Sequence, residues 1–295
     1  MTVFSQTNNP FLRTSSGPRG APRIVQVAPV PPAGTFFDHV VVILMENEGV
    51  WNICNGSPPP CLTSGPAPFM AGLANNYTVT AQYLSLVPTS QPNYVALISG
   101  SMQGCTMNGC PTITAPNLVD RFESAGLSWK GYFENMTRPE GCDYNVVGPY
   151  APIHNPFIWF QDISNNTARC NKLVLANPDG CTVIDCALIN DLNNSTIPAP
   201  NFMWLTPNDC DNMRGSSECN TTTLIAPGNL YLSQLVPLIL NSRTFTTTRS
   251  ALFITFDEGD SFCPGPYPMN EDCVYTSWSG PVAKRSFTSG TLYNH

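Results

Sequence analysis

HVVVILMEN, residues 39–47, is a mostly apolar run that stops on a carboxylate and an amide, Glu46 and Asn47. Runs of Val, Ile and Leu of this length are typical of strands buried on both faces, as in a parallel sheet covered by helices. Two later runs end in the same way: FMWL (202–205) is followed by Asn208, Asp209, Asp211 and Asn212, and ALFITF (251–256) by Asp257, Glu258 and Asp260. Because ligands gather beyond the carboxyl ends of such strands, the pattern predicts an α/β fold with a hard-cation site at one sheet edge.

The segments between these runs predict alternating helices and strands. Helices are predicted over 68–75, 90–100, 117–125 and 229–241, and further strands over 79–86 and 128–134. Ser90 has the form of an N-cap, Pro92 suits the first turn of its helix, and Gly100 suits the stop. Pro237 predicts a kink or a split in the last helix. The alternation indicates parallel strand pairing through helical crossovers.

Two stretches are irregular. Residues 1–34, rich in Pro, Gly and Ser, are predicted to form a flexible leader before one domain over 35–295. Residues 135–198 are loop-rich, which is more typical of a functional lid or an insertion than of a core element. No run reaches the roughly 18 apolar residues of a membrane span, so we expect no transmembrane segment.

The composition is sparsely charged and acidic. Charged residues make up 11% of the chain, against roughly 25% in an average soluble protein, and the net charge is −7. Nucleic-acid-binding proteins usually carry a basic face, so we expect no nucleic-acid partner. A polar surface with few charges suits an acidic milieu, or a surface kept soluble by glycans.

The twelve cysteines favour an oxidising compartment. No CxxC pair is present, which argues against a thiolate zinc site. Pairing of sequence neighbours is the simplest disulfide arrangement: Cys54 with Cys61, Cys105 with Cys110, Cys181 with Cys186, Cys210 with Cys219, and Cys263 with Cys273.

Glycan acceptor triplets also fit export. They begin at Asn55, Asn76, Asn135, Asn165, Asn193, Asn194 and Asn220. Residues 1–34 nevertheless lack the apolar core of a signal peptide. We therefore expect a secreted protein whose start is incomplete or misassigned, with export by another route as the alternative.

Ser90 and the acidic strand ends are the candidate chemical groups. A hydroxyl at a helix N-terminus lies in a field that favours an alkoxide or a phosphate, although simple capping explains the same residue. Carboxylate and amide oxygens suit Mg²⁺, Ca²⁺ or Mn²⁺, or zinc with added imidazole, which makes Glu46, Asn47, Asp257 and Glu258 candidate ligands. A metal there lowers the pKa of a coordinated hydroxyl and stabilises a phosphoryl transition state.

The three histidines differ in their settings. His39 begins a buried strand and is interpreted as structural. His154 lies in a loop, where it either binds a metal or a phosphate or braces the loop. His295 is the last residue, where a histidine is usually solvated.

Taken together, the chain resembles the phosphoesterase family, which groups acid phosphatases with bacterial phospholipases C within the alkaline-phosphatase-like superfamily. The resemblance covers about residues 36–295 in the expected order. It is carried by six blocks: HVVVILMEN (39–47), TSQPNYVALISG (89–100), SWKGYFENM (128–136), HNPF (154–157), TPNDCDNM (206–213) and FDEGD (256–260).

The resemblance implies a metal-dependent phosphate ester hydrolase with a three-layer α/β/α sandwich and a mostly parallel central sheet. It implies that Ser90 is the nucleophile, which is phosphorylated and then released by water. The implied metal ligands are Glu46, Asn47, Ser90, Asp257 and Glu258. His154 matches the HNPF histidine and His295 the histidine of a YNH motif, each a phosphate or metal contact. The family continues from that motif into a helix, so we expect this chain to lack its C-terminal helix.

One position departs from the family pattern. The family commonly reads Asn-Asp-Met-His where this chain reads Asp211-Asn212-Met213-Arg214. The imidazole contact is therefore in doubt, although a guanidinium can itself hold a phosphate through two hydrogen bonds. A solvated loop arginine is the other interpretation of Arg214.

The leading hypothesis is a secreted phosphomonoesterase of the acid phosphatase type that acts on a small phosphate ester. A phospholipase C-type phosphodiesterase is the alternative, but those relatives tend to have MENRSFD where this chain continues MENEGV (45–50). A non-catalytic, glycosylated surface protein with the same fold is the third hypothesis. Metal identity and number, disulfide connectivity and oligomeric state are left open.

Overall fold

A mostly parallel sheet organises the protein. The computed structural model describes residues 36–219, 223–259, 263 and 272–295. The strands within these residues are β1 (His39–Met45), β2 (Thr78–Thr80), β3 (Tyr83–Leu84), β4 (Trp129–Phe133), β5 (Leu173–Leu175), β6 (Phe202–Thr206), β7 (Ser250–Phe256), β8 (Thr276–Ser279), β9 (Phe287–Ser289) and β10 (Tyr293–Asn294). Eight of them form one sheet in the order β5-β4-β6-β1-β7-β8-β2-β9, in which β8 alone runs antiparallel to its neighbours. β10 pairs with β3 separately.

Helices connect these strands. The α-helices in the same described residues are α1 (Val50–Ile53), α2 (Pro68–Asn76), α3 (Ser90–Ser99), α4 (Leu118–Ser124), α5 (Gln161–Ser164), α6 (Thr167–Cys170), α7 (Cys186–Asn193), α8 (Ile225–Leu240) and α9 (Arg243–Thr247). Two 3₁₀ turns cover Pro152–His154 and Pro156–Trp159. The predicted helices at 68–75, 90–100, 117–125 and 229–241 correspond to α2, α3, α4 and α8.

Alternate residues of the central strand enter two different cores. Val41, Ile43 and Met45 of β1 belong to one buried cluster, which also contains apolar residues of α2, α7 and α8. Val42 and Leu44 belong to a second cluster, which contains residues of α3 and α4. Because successive strand side chains point to opposite faces, the sheet lies between two helical layers. The predicted three-layer α/β/α sandwich is confirmed.

Three local predictions differ from the structure. The strand predicted over 79–86 is two short strands, β2 and β3, which pair in different sheets. The irregular stretch 135–198 contains β5 at the sheet edge, and Leu188 and Leu192 of α7 are core residues. Pro237 does not split α8, which continues to Leu240. The predicted leader at 1–34 and Asp260 lie outside the described residues.

Disulfides close the loops between these elements. All five neighbour pairings are confirmed, and Cys142 pairs with Cys170 in a sixth bridge. No helix in the part of the chain that the structure describes is both long and apolar enough to span a membrane.

Candidate active site

The register of the central strands brings Glu46 and Asp257 together. Met45 of β1 pairs with Phe256 of β7, so the residues that follow leave the sheet side by side. The backbone N–H of Asn47 donates to Oδ1 of Asp257 at 3.2 Å. Asn47 has a φ of 66°, a left-handed conformation that asparagine tolerates better than most residues. The predicted meeting of two strand ends is therefore found at β1 and β7.

Ser90 is the first residue of α3, and its N-cap is Thr89. The prediction of Ser90 as the N-cap is wrong by one position, because the extended backbone of Thr89 makes that residue the boundary of the helix. The Ser90 hydroxyl is consequently free of capping. Its Oγ lies 3.1 Å from Oε2 of Glu46 and 3.2 Å from Oε1 of Glu258. Since a hydroxyl has one hydrogen, it can donate to one carboxylate at a time.

Glu46, Asp257 and Glu258, called here the active-site carboxylates, offer ligand atoms within 4.8 Å of one another. Glu46 and Asp257 are fully buried, and burial raises the pKa of both. Burial and then the charge of Asp257 raise the pKa of Glu258 to about 7. Oε1 of Glu46 and Oδ2 of Asp257 have no hydrogen-bond partner among the described residues. Crowded, unpartnered carboxylate oxygens are what a divalent cation binds, so these residues fit the metal that the resemblance implies.

His154 reaches the active-site carboxylates from the first 3₁₀ turn, Pro152–His154, and Asp209 orients it. Nδ1 of His154 lies 3.1 Å from Oδ1 of Asp209, and its Nε2 lies 3.2 Å from Oε1 of Glu46. The second pair is not aligned as a hydrogen bond, since neither atom has a hydrogen-bond partner in the described residues. Tyr94 stacks on the imidazole with ring centroids 5.3 Å apart. The ring is thus held with Nε2 available for a ligand.

Arg214 lies in the site, where the family pattern has a histidine. Its Nη1 donates to Oδ2 of Asp209 at 2.9 Å, and its Nε lies 3.9 Å from Oε2 of Glu46. The Arg214 side chain is 36% exposed, so the guanidinium can reach solvent as well as the carboxylates. The interpretation of Arg214 as a purely solvated loop residue is therefore wrong.

Asp209 is the site residue that sequence reasoning did not select. It binds both His154 and Arg214, yet it is one of four polar residues in a single loop, and the loop has no periodicity that would distinguish them. Burial acts to raise the pKa of Asp209, but the hydrogen bond and charge of His154 and the charge of Arg214 outweigh it and lower the value. Asp209 therefore carries a negative charge that pairs with both basic groups.

The other two histidines lie elsewhere. Nε2 of His295 is 2.7 Å from the backbone carbonyl of Asp257, and burial lowers the pKa of its ring to about 4. His295 thus hydrogen-bonds the backbone of Asp257. Within the described residues it is not part of the group of closely spaced ligand atoms formed by the active-site carboxylates. His39 bonds the carbonyl of Pro200 at 2.9 Å, at the opposite end of β1, which agrees with a structural role.

Known proteins are similar to this chain in fold and, more distantly, in sequence. A solved protein of the alkaline phosphatase superfamily from Vibrio parahaemolyticus superposes with a TM-score of 0.55, over 88% of this chain and 63% of that one, at 10% identity. At that identity the likeness concerns the fold alone.

Two curated relatives are similar in sequence. A phosphate-repressible acid phosphatase from Penicillium chrysogenum is 26% identical over 89% of this chain and 57% of its own length. A phosphatidylinositol-3-phosphatase from Mycobacterium tuberculosis is 28% identical over 76% of this chain and 64% of its own length. The chain therefore spans less than two thirds of the length of either relative.

The model of the phosphoesterase family matches residues 61–284. This range contains Ser90, His154, Arg214, Asp257 and Glu258, while Glu46 precedes it. The match covers most of the chain, and the central sheet and the geometry around Ser90 agree with it. This chain belongs to the phosphoesterase family.

Proposed function

We propose that this protein is a metal-dependent phosphate ester hydrolase, of the acid phosphatase type, that cleaves monoesters through a phosphoserine intermediate. The observation that carries the proposal is the contact of the Ser90 hydroxyl with two carboxylates, the fully buried Glu46 at 3.1 Å and the half-buried Glu258 at 3.2 Å. A serine released from capping and packed among carboxylates matches the arrangement in which a hydroxyl becomes a nucleophile.

The residues that would hold the metal are the active-site carboxylates, with Asn47 and the Ser90 oxygen beside them. A divalent cation bound there supplies charge that favours the alkoxide and neutralises phosphoryl oxygens. Ser90 attacks phosphorus while its proton passes to a neighbouring carboxylate. The bond from phosphorus to the ester oxygen breaks, and the alcohol departs with the proton that the carboxylate received. Water then attacks phosphorus, which breaks the bond to the Ser90 oxygen, restores the hydroxyl and releases inorganic phosphate.

The phosphate would be held by Arg214 and His154. Both carry donors near Glu46 and both are held by Asp209, so the phosphate oxygens would meet a guanidinium and an imidazole in fixed positions. A guanidinium offers two parallel donors, which suits a phosphate better than a single imidazole does. Arg214 in place of the family's histidine is thus compatible with phosphate binding.

The direct test is hydrolysis of p-nitrophenyl phosphate from acid to neutral pH with added divalent metals. Wild type is compared with Ser90→Ala, and the control is Ser99→Ala at the other end of α3, whose hydroxyl bonds only backbone carbonyls and Gln103. We expect Ser90→Ala to lose at least about 10³-fold in turnover and Ser99→Ala to keep it. Acid quenching during turnover should trap phosphate on the peptide that contains Ser90.

The same assay separates the alternatives. Faster cleavage of bis(p-nitrophenyl) phosphate than of the monoester would favour the phospholipase C-type phosphodiesterase. A folded wild type that binds metal but cleaves neither compound would favour the non-catalytic surface protein. Full activity of a folded Ser90→Ala variant would contradict the proposed nucleophile.

We also propose that the protein works outside the reducing cytosol. Twelve cysteines joined in six disulfides are typical of an oxidising compartment. The acceptor asparagines at 55, 76, 135, 165, 193 and 194 are all exposed, while Asn220 lies outside the described residues. Expression in a secreting host, with glycan mapping by mass spectrometry, tests this assignment.

A further inference from the structure

Gln91, the residue after Ser90, is fully buried and makes reciprocal hydrogen bonds with one small loop. Its backbone N–H donates to Oδ1 of Asn108 at 3.0 Å. Its side-chain Oε1 accepts from the backbone N–H of Gly109 at 2.7 Å and of Cys110 at 3.2 Å. Three hydrogen bonds therefore join the first turn of α3 to a single partner segment, residues 108–110.

That segment belongs to a loop closed by the Cys105–Cys110 disulfide. Both cysteines are buried in the same core cluster as Tyr94 of α3, whereas the residues between them are exposed. Gly109 has a φ of 94°, a left-handed conformation that a side chain rarely adopts. The disulfide and the glycine together fix the direction in which the backbone N–H groups of 109 and 110 point, which is toward Gln91.

The chain that precedes Ser90 is fixed separately, by Asn93. Its Oδ1 accepts from the N–H of Leu86 at 2.9 Å, and its Nδ2 donates to the carbonyls of Val87 at 2.7 Å and Thr89 at 3.1 Å. Asn93 thus holds the approach to the helix, and Gln91 holds the first turn itself. Ser90 lies between these two anchors without using its own hydroxyl.

The side chain of Gln91 is not optimised for stability. Its Nε2 is buried and has no hydrogen-bond partner among the described residues. A buried donor without a partner destabilises the folded state, so an apolar residue of the same shape would remove that destabilisation while also losing the two accepted bonds. This combination indicates a residue that serves the site more than the fold.

We propose that Gln91 is a positioning residue, and that the Cys105–Cys110 loop is a disulfide-closed clamp that holds Ser90 against the active-site carboxylates. The inference rests on the proposed function for its effect on turnover. It predicts that this one bridge matters for activity beyond its contribution to folding, because a small displacement of a reacting group lowers the rate steeply.

The first test is Gln91→Met, which keeps the shape and removes the acceptor. We expect turnover of p-nitrophenyl phosphate to fall by about 10- to 100-fold, with an unchanged KM and an unchanged inhibition constant for inorganic phosphate. Gln91→Glu keeps an acceptor oxygen and, when assayed in acid where the carboxyl is neutral, should recover most of the turnover. Equal activity of Gln91→Met and wild type would overturn the proposal. A change in KM with turnover unaltered would overturn it as well.

The second test needs no activity. Cys105→Ser/Cys110→Ser is compared with Cys181→Ser/Cys186→Ser, whose bridge has the same sequence separation of 5. No hydrogen bond found within the described residues joins the control loop to α3. Hydrogen exchange should become faster in peptides that cover 90–96 in the first variant only. Equal protection in both variants would overturn the clamp, even if the proposed function holds, and an inactive wild type with the expected exchange would count against the proposed function alone.

Discussion

The active-site carboxylates and a second acidic group lie beyond the same ends of the central strands, and they differ in the donors that reach their oxygens. The second group consists of Glu134 after β4, Asp185 before α7 and Asp211 after β6. Its members have donors: Oε2 of Glu134 accepts from the backbone and side chain of Asn208, and the hydroxyl of Tyr231 donates to Asp185 at 2.6 Å. Among the described residues, two oxygens of the active-site carboxylates have no hydrogen-bond partner, against Oδ1 of Asp185 in the second group. The Ser90 hydroxyl is the donor that lies between Glu46 and Glu258.

The difference shows what each group requires. Burial raises the pKa of Glu134, and the charge of Asp185 raises it further, whereas the hydrogen bond from Glu134 acts to lower the pKa of Asp185. The two carboxyl groups therefore act on each other: Asp185 raises the pKa of Glu134, and Glu134 acts to lower that of Asp185. The amide of Asn208 donates to both Glu134 and Asp211, so a neutral donor joins these two carboxyl groups. The second group is held by amide and hydroxyl donors, while the active-site carboxylates fit a metal.

The largest expected effect comes from neutralising one carboxylate in each group. Asp257→Asn should lower phosphatase turnover by about 10³-fold or more, because it removes a charge that holds the cation. Asp185→Asn is the matched control, since its amide can donate to Glu134 and still accept from Tyr231, and it should keep turnover within about twofold. The measurement is p-nitrophenyl phosphate hydrolysis at saturating metal. Similar losses in both variants would contradict the division of roles.

The next effect concerns pH and stability. The pKa of Asp185 is raised, chiefly by burial, from 3.8 to about 6. A carboxyl whose pKa is raised on folding contributes stability below its unfolded value and loses it as the pH rises through its folded value. We therefore expect the free energy of unfolding to fall between about pH 4 and pH 6, by about 3 kcal/mol for this group at 1.36 kcal/mol per pKa unit.

Urea unfolding of wild type and Asp185→Asn across that pH range measures the titration of Asp185 together with its effect on Glu134, because the titrating groups outside the second group are common to both proteins. The free energy of unfolding of wild type minus that of Asp185→Asn should decrease as the pH rises, since only wild type loses the proton of Asp185. If the difference in free energy of unfolding between the two proteins stayed constant from pH 4 to pH 7, the second group would not titrate in this range.

A somewhat smaller effect is expected on removal of metal. A ligand that binds only the folded state at about 100 times its Kd stabilises it by about 2.7 kcal/mol. Chelation should therefore lower the Tm of wild type and of Asp185→Asn alike, but leave Asp257→Asn unchanged. Thermal melts with and without EDTA provide the measurement. A metal-dependent Tm in Asp257→Asn equal to that of wild type would place the cation elsewhere.

These two groups also illustrate which features could be predicted from sequence. Glu46 and Asp257 meet because each follows a continuous apolar strand, and parallel strands in register end at one edge. The sandwich, the four helices and the neighbour disulfides were predictable for similar reasons, since each depends on local pattern. The N-cap of α3 was misassigned by one residue, because Thr89 and Ser90 are both good caps in sequence and only the extended backbone of Thr89 distinguishes them.

What sequence did not predict depends on contacts between loops. Asp209 meets His154 across an irregular stretch, and Glu134 meets Asp185 through the left-handed turn that precedes α7. Neither pairing leaves a periodic signal, because the side chains come from segments without regular spacing. The separation of β2 from β3 is similar, since it is set by their pairing with β9 and β10 at the end of the chain.

The smallest expected effect concerns the hydroxyl of Tyr231, which donates to Asp185. Tyr231→Phe removes the donor to Asp185 and should cost about 1 kcal/mol of stability in acid, with turnover unchanged. The cost should grow as the pH rises, because an ionised Asp185 needs the hydroxyl more than a protonated one. Tyr275→Phe is the control, since that buried hydroxyl donates to the backbone carbonyl of Met70 at 2.9 Å, an acceptor that does not titrate. Equal and pH-independent costs of the two substitutions in urea unfolding would show that the Tyr231 hydroxyl does not stabilise a titrating partner.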